Sequence, residues 1–134
     1  MNEEKINQSL LNLEKALGRL NEALKVTNKD QLMVDGTIQR FEFVIELFWK
    51  AMKRLLSYEN YQVKSPREVM KQAYEMGWLR DEDAWLEMLQ DRNTTSHVYD
   101  EKEAMKIFNH IKKNFPELDY TFNLLKERYK IISA

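Results

Sequence analysis

The sequence predicts an all-α protein, an antiparallel bundle of four to five helices. Apolar residues recur at steps of three and four along most of the chain, which is the period of a helix with one buried face. No segment shows the period of two that is typical of a half-buried strand. Only three glycines and two prolines interrupt the 134 residues, so there are few breaks between helices. We expect a single domain over residues 1–134.

The first two helices are predicted from their apolar patterns. Residues 6–24 carry one continuous stripe of isoleucine and leucine. A second helix is expected from about Asp35 to Tyr58, and twelve of the nineteen residues in 38–56 are apolar. A helix that is apolar nearly all round is buried on several sides. In so small a domain, we expect a second subunit to cover one of those sides, which is the first indication of a homodimer.

The later helices are predicted from their ends. Ser65 followed by proline, with Glu68 three residues on, matches a capping box, and Gly77 is placed to end that third helix. A fourth helix should begin near Asp81, and Asp100 should cap a fifth.

Pro116 lies inside the apolar stripe of the fifth helix. Proline removes a backbone donor and crowds the carbonyl four residues earlier, so it must kink or break the helix. The apolar phase continues unchanged past this position, which favours a kink.

Charge and cysteine content exclude several classes of protein. The chain has 21 basic and 22 acidic residues, so it lacks the excess of positive charge that broad electrostatic binding of nucleic acid requires. Any RNA contact should therefore be local. Without cysteine there is neither a disulfide nor a thiolate metal site. The charged start and the lack of a long apolar run indicate neither export nor a membrane span. We expect a cytoplasmic protein with no membrane association.

Residues 89–104 form the most unusual segment of the chain. Within it lies a polar run that includes Arg92, Asn93, His97 and Tyr99, although polar residues such as asparagine and threonine are weak helix formers. Histidine can take or give a proton near neutral pH, and guanidinium stabilises charge that develops on a phosphate. The pair therefore suits phosphodiester cleavage. Because one histidine can hardly serve both ends of the reaction, a two-fold dimer would have to supply the second.

A purely structural interpretation fits the same residues, and from the residues alone it is the better supported. Arg92 could pair with Asp91 or Glu87, His97 could cap the helix, and Tyr99 could pack. His110 is expected at an exposed or half-buried helix position rather than in catalysis. Two histidines and no cysteine provide no transition-metal constellation, so we expect neither a metal site nor a cofactor.

Charged residues on the second helix form a further candidate. Glu42, Glu46, Lys50 and Lys53 lie on an otherwise apolar helix. Buried charges there would indicate an interface or the wall of a cleft.

The run DRNTTSHVY resembles the R-x-x-x-x-H-x-Y motif of HepT-like HEPN proteins, including the polar Asn93 after the arginine. Two other stretches, DGTIQRFE followed by ELFWK (residues 35–50) and SPREV (65–69), resemble a related group, the nucleotidyltransferase substrate-binding proteins. The likeness extends from about residue 5 to 130. With it included, we favour the functional interpretation of the motif.

The resemblance implies a homodimeric helical bundle whose gene neighbours that of a minimal nucleotidyltransferase, together forming a toxin–antitoxin module. This chain would be a metal-independent endoribonuclease, with Arg92 and His97 catalytic and Asn93 supporting them. The partner would silence it by attaching AMP to Tyr99.

Two other hypotheses remain. The chain could instead be a non-catalytic substrate-binding subunit of a two-component nucleotidyltransferase, or a structural dimer whose motif has decayed. It is not itself the transferase, since no glycine precedes a serine as the Gly-Ser turn of such enzymes requires.

Overall fold

A computed structural model describes residues 3–95 and 100–129, and these ranges contain five α-helices and no strand. The predicted all-α bundle is therefore confirmed. The helices are α1 (Glu3–Lys25), α2 (Gln31–Tyr58), α3 (Pro66–Glu75), α4 (Glu82–Thr94) and α5 (Glu101–Tyr129). Buried side chains from all five join one hydrophobic cluster.

Helix α2 lies at the centre of the bundle and contacts each of the other four helices. Nine of its twelve apolar residues in 38–56 are buried within this one chain. The other three are Phe43, which is 56% exposed, and the partly buried Leu47 and Trp49. The apolar content of α2 is thus explained mainly by contacts inside the chain, and a second subunit has only this small group left to cover.

The helix starts follow the predicted caps, with one exception. Ser65 and Glu68 form the expected capping box of α3, and the carboxylates of Asp81 and Asp100 accept backbone N–H groups at the starts of α4 and α5. The prediction for α2 was wrong by about one turn. Its cap is Asp30, whose carboxylate accepts the N–H of Met33 at 2.9 Å, so the helix begins at Gln31 rather than near Asp35.

Glycine and proline act differently in the two places where they matter. Gly77 has φ of +81°, the left-handed conformation that ends a helix, and α3 stops just before it as predicted. Pro116 does not end α5, which continues through it to Tyr129. The prediction that α5 is not broken there is confirmed.

Two tryptophans contribute to the core where the shorter helices meet the long ones. Trp78 and Trp85 are fully buried, and the rings of Phe48 and Trp85 meet edge to face with centroids 4.9 Å apart. The Thr121 hydroxyl donates to the carbonyl oxygen of Trp78 at 2.8 Å, which ties the segment before α4 to α5.

Within residues 3–95 and 100–129, the helices lack the length of apolar sequence needed to cross a membrane.

The contrast between two leucines of α2 tests the packing. Leu55 is 1% exposed and Leu32 is 78% exposed. We expect Leu55→Ala to lower the free energy of unfolding by about 2–5 kcal/mol, because it removes buried methyl groups and leaves a cavity. Leu32→Ala, the matched control, should change it by less than about 0.5 kcal/mol. Urea denaturation followed by circular dichroism measures both, and equal effects would contradict the central position of α2.

Candidate functional site

Arg92 lies in the last turn of α4 and reaches across to α2. Its guanidinium forms an ion pair with the carboxylate of Glu46 and also donates to Oδ1 of Asn93 at 2.9 Å. The Arg92 and Glu46 side chains are 26% and 33% exposed, so the pair is accessible from solvent but only partly hydrated. A cation near a helix C-terminus is also favoured by the helix dipole.

Two residues of its own helix, as well as Arg92, hold the Glu46 carboxylate in position. Trp49 Nε1 donates to Glu46 Oε2 at 3.2 Å, and Lys50 Nζ lies 3.2 Å from Oε1. Burial by itself raises the pKa of Glu46, but hydrogen bonds from Trp49, Lys50 and Arg92 outweigh it and lower that pKa. The carboxylate is therefore ionised at neutral pH, and it holds the guanidinium in one position.

The ion pair forms part of the wall of an open cleft of about 810 Å³ between α1, α2 and the end of α4. Two more arginines and one more glutamate line the cleft, together with an exposed phenylalanine: Arg19, Arg40, Glu42 and Phe43. Three guanidinium groups against two carboxylates make the lining slightly positive. Such a surface suits an anionic ligand with an aromatic ring.

Arg40 also connects the two long helices of the cleft. Its Nη1 donates to the backbone oxygen of Arg19 at 2.7 Å, which links the N-terminal half of α2 to the C-terminal half of α1. The cleft is thus lined by side chains on three helices that are tied to one another. A site on such packed elements is better positioned than one on a loop.

The structure describes two of the four residues predicted from the motif. Arg92 lines the cleft, and Asn93 lies beside it as a hydrogen-bond acceptor for its guanidinium. Thr95 continues the turn by donating its hydroxyl to the carbonyl oxygen of Arg92 at 2.8 Å. His97 and Tyr99 lie outside the described residues, so their proposed roles stay predictions.

The alternative pairing of Arg92 with Asp91 or Glu87 was wrong, because Arg92 contacts Glu46 instead. Asp91 and Glu87 face His110 on α5, at 3.0 and 3.9 Å from its Nδ1. His110 is half-buried, as predicted, with 24% of its side chain exposed. The expectation of no metal constellation counted only histidine and cysteine and overlooked these two carboxylates.

Reasoning from the sequence also missed Arg19 and Arg40 as neighbours of Arg92. Four charged residues of α2 were anticipated at an interface or the wall of a cleft. Glu42 and Glu46 line the cleft, whereas Lys50 and Lys53 do not. Arg40 falls within the DGTIQRFE stretch that carries the family resemblance, which is the signal that could have identified it. Arg19 has no comparable signal, since its position depends on how α1 packs against α2.

Comparison with known families identifies the chain. The model of the family described as nucleotidyltransferase substrate binding protein like matches residues 8–127. The chain belongs to this family.

A named relative extends the comparison. A Haemophilus influenzae protein named probable ribonuclease HepT is 31% identical over 101 residues, which cover 72% of this chain and 69% of that protein. The resemblance to HepT-like and nucleotidyltransferase substrate-binding proteins is therefore confirmed.

Two solved structures share the fold. A Thermus thermophilus protein aligns with a TM-score of 0.79 and 34% identity, covering 85% of this chain and 98% of that one. A Haemophilus influenzae protein, described as revealing the fold of a substrate binding domain of a nucleotidyltransferase, aligns with a TM-score of 0.68 and 25% identity. That alignment covers 93% of this chain and 99% of the other.

A double-mutant cycle tests the contact between α2 and α4. We expect Glu46→Gln and Arg92→Gln to show a coupling energy of about 0.5–1 kcal/mol in urea denaturation, because the pair is only partly exposed. Lys50→Gln is the matched control, since Lys50 pairs with the other oxygen of Glu46 and is 57% exposed. Its coupling to Glu46→Gln should be smaller, and the reverse order would contradict the position of Arg92.

Proposed function

We propose that this chain is a metal-independent endoribonuclease of the HepT type that acts as a homodimer, with Arg92 and His97 catalytic and Asn93 supporting them. The observation that carries the proposal is the position of Arg92, which is held by Glu46 at the wall of an open, arginine-lined cleft. The name of the Haemophilus influenzae relative, probable ribonuclease HepT, supports the same activity.

In the proposed reaction the ribose 2′-oxygen attacks the adjacent phosphorus, and the 5′-oxygen of the next nucleotide leaves. His97 accepts the proton of the 2′-hydroxyl as a general base. Arg92 donates to the phosphoryl oxygens on which negative charge develops. A guanidinium has five N–H donors, so its contacts with Glu46 and Asn93 do not exhaust it. The product is a 2′,3′-cyclic phosphate, and no step requires a metal ion.

The leaving oxygen needs a proton from a second acid. His97 of the second protomer fills that role if the two copies of the motif meet across a two-fold axis. The small apolar group left open on α2, Phe43 with the partly buried Leu47, borders the cleft region and is available for such an interface. The composite site and the homodimer are parts of the same proposal.

Cleavage of a short labelled RNA in EDTA tests this activity. We expect cyclic-phosphate products from the wild type, no cleavage by His97→Ala, and a fall in kcat of roughly 10²–10³ for Arg92→Ala because transition-state charge loses its donor. The control Arg80→Gln removes an arginine that pairs with Glu117 at 3.0 Å and does not line the cleft, so it should retain activity.

Three results would contradict the nuclease proposal. They are activity that EDTA abolishes, activity that survives His97→Ala, and activity of a protein that sedimentation shows to be monomeric at micromolar concentration. The last would overturn the composite site in particular.

We further propose that a minimal nucleotidyltransferase encoded by a neighbouring gene silences the nuclease by transferring AMP to Tyr99. The tyrosine oxygen attacks the α-phosphorus of ATP, pyrophosphate leaves, and the transferase supplies the Mg²⁺ that holds the phosphates. An adenylyl group two positions from His97 would add negative charge and bulk beside the site and would oppose RNA binding.

The alternative function is that of a non-catalytic substrate-binding subunit of a two-component nucleotidyltransferase. The family description and the Haemophilus influenzae structural relative favour it, since both refer to substrate binding. Three arginines and the exposed Phe43 ring also suit a nucleotide-like substrate. This hypothesis requires a stable complex with the transferase and no RNA cleavage by the free protein.

Incubation with the neighbouring transferase, ATP and Mg²⁺ tests the acceptor role. Mass spectrometry should show the added mass of AMP on the wild type and not on Tyr99→Phe. Tyr74→Phe is the matched control, because Tyr74 is 45% exposed on α3 and should leave the modification unchanged. Modification that persists in Tyr99→Phe would exclude Tyr99 as the acceptor. A complex that forms without modification or cleavage would favour the substrate-binding subunit.

A further inference from the structure

Three potential metal ligands converge between α4 and α5, apart from the arginine cleft. Glu87 and Asp91 are one helical turn apart, so they share a face of α4. His110 faces them from α5. One ligand atom from each side chain lies within 4.8 Å of the others.

The spacing of these atoms is close to that of ligands around one ion. His110 Nδ1 lies 3.0 Å from Asp91 Oδ2 and 3.9 Å from Glu87 Oε1. Ligands that bind an ion at about 2.1 Å lie about 3.0–3.4 Å from one another in octahedral or tetrahedral geometry. His110 and Asp91 already have this separation, and Glu87 would have to move closer to complete a set of two carboxylates and one imidazole.

A buried amide orients the outermost of the three ligands. Asn114 is 3% exposed, and its Nδ2 donates to Glu87 Oε1 at 2.8 Å. Metal-binding carboxylates are commonly held by such hydrogen bonds from neighbouring side chains. Asn114 lies one turn after His110 on α5, so the same helix supplies a ligand and the group that orients another.

Asp91 is the most buried of the three proposed ligands. Asp91 is 7% exposed, and within the described residues its hydrogen-bond partner is His110. Burial raises the pKa of Asp91, the contact with His110 opposes that rise, the nearby charge of Glu87 adds to it, and that of Lys113 opposes it. A divalent cation placed between Asp91 and Glu87 would offset the repulsion between their two charges.

An acidic cleft of about 430 Å³ borders the cluster at Glu87. Glu87 lines it with Asp81, Asp83 and Glu117, against a single ammonium group, that of Lys113. Clefts lined by one sign of charge concentrate ions of the opposite sign. Lys113 Nζ contacts Glu87 Oε1 at 2.9 Å and occupies part of the space an ion would take. Its side chain is 61% exposed, so an ion that displaced it would leave the ammonium group hydrated.

We propose that Glu87, Asp91 and His110 bind one divalent transition-metal ion, such as Zn²⁺ or Mn²⁺, which joins α4 to α5 next to Arg92. A mixed oxygen and nitrogen set suits these ions, and three protein ligands leave a position for water. The ion is structural or regulatory, since the proposed cleavage uses none. The site does not depend on the proposed function, because its binding is measured without RNA or a transferase.

Calorimetric titration of the EDTA-stripped protein with Zn²⁺ and with Mn²⁺ tests the site. We expect one ion per chain, with affinity at least tenfold weaker in His110→Gln and in Glu87→Gln. The control Asp83→Asn removes an exposed carboxylate of the same cleft that is not a ligand, so it should keep the wild-type affinity to within about threefold. Ions at a hundredfold excess over Kd should raise Tm by roughly 10 °C, because they bind only the folded state.

Substitution with Co²⁺ adds a readout that does not depend on stability. Visible absorption bands of bound Co²⁺ should appear in the wild type and in Asp83→Asn, and should be lost in His110→Gln. Circular dichroism should show that each variant retains its helices. Equal binding by the wild type and His110→Gln, or no binding below about 100 µM, would overturn the proposal.

Discussion

The burial of α2 is the constraint on which the rest of the structure depends. This helix contacts the other four, and its apolar residues fill the centre of the bundle. The charged side chains of α2 must therefore lie at the edges of its packed faces. Glu46 emerges where α4 ends, and Arg92 meets it there. Because an ionised carboxylate at the edge of a core needs a partner, the packing of α2 determines where the guanidinium lies.

The last turns of α4 are held on two sides by neighbouring residues. Successive residues of a helix point about 100° apart. Arg92 accordingly reaches α2 through Glu46, while Asp91 reaches α5 through His110. The two contacts fix the rotation of the helix about its axis. Arg92 and Asn93, the two described residues of the motif, lie in this part of α4.

Much of the fold was predictable because it depends on short-range patterns. A few neighbouring residues are enough to recognise the apolar stripe of α1 and the caps at Ser65, Asp81 and Asp100. The start of α2 was misplaced because Asp30 and Asp35 are both acceptable caps, and packing selects between them. Arg92 was identified from the motif, but its partner lies 46 residues earlier. Likewise the spacing of Glu87 and Asp91 is visible in the sequence, whereas their contact with His110 depends on how α4 packs against α5.

The two charged regions have opposite character, and α4 separates them. Its C-terminal end borders a cleft where arginines outnumber carboxylates, and its N-terminal half borders one where carboxylates outnumber the single lysine. Anionic and cationic ligands are thus directed to different sides of one helix. Glu46 limits the first region, because a phosphate that takes the Arg92 donors bonded to Glu46 must displace that carboxylate. A ligand that positions its phosphate at the remaining donors of Arg92 keeps the ion pair and binds better than one that must displace Glu46.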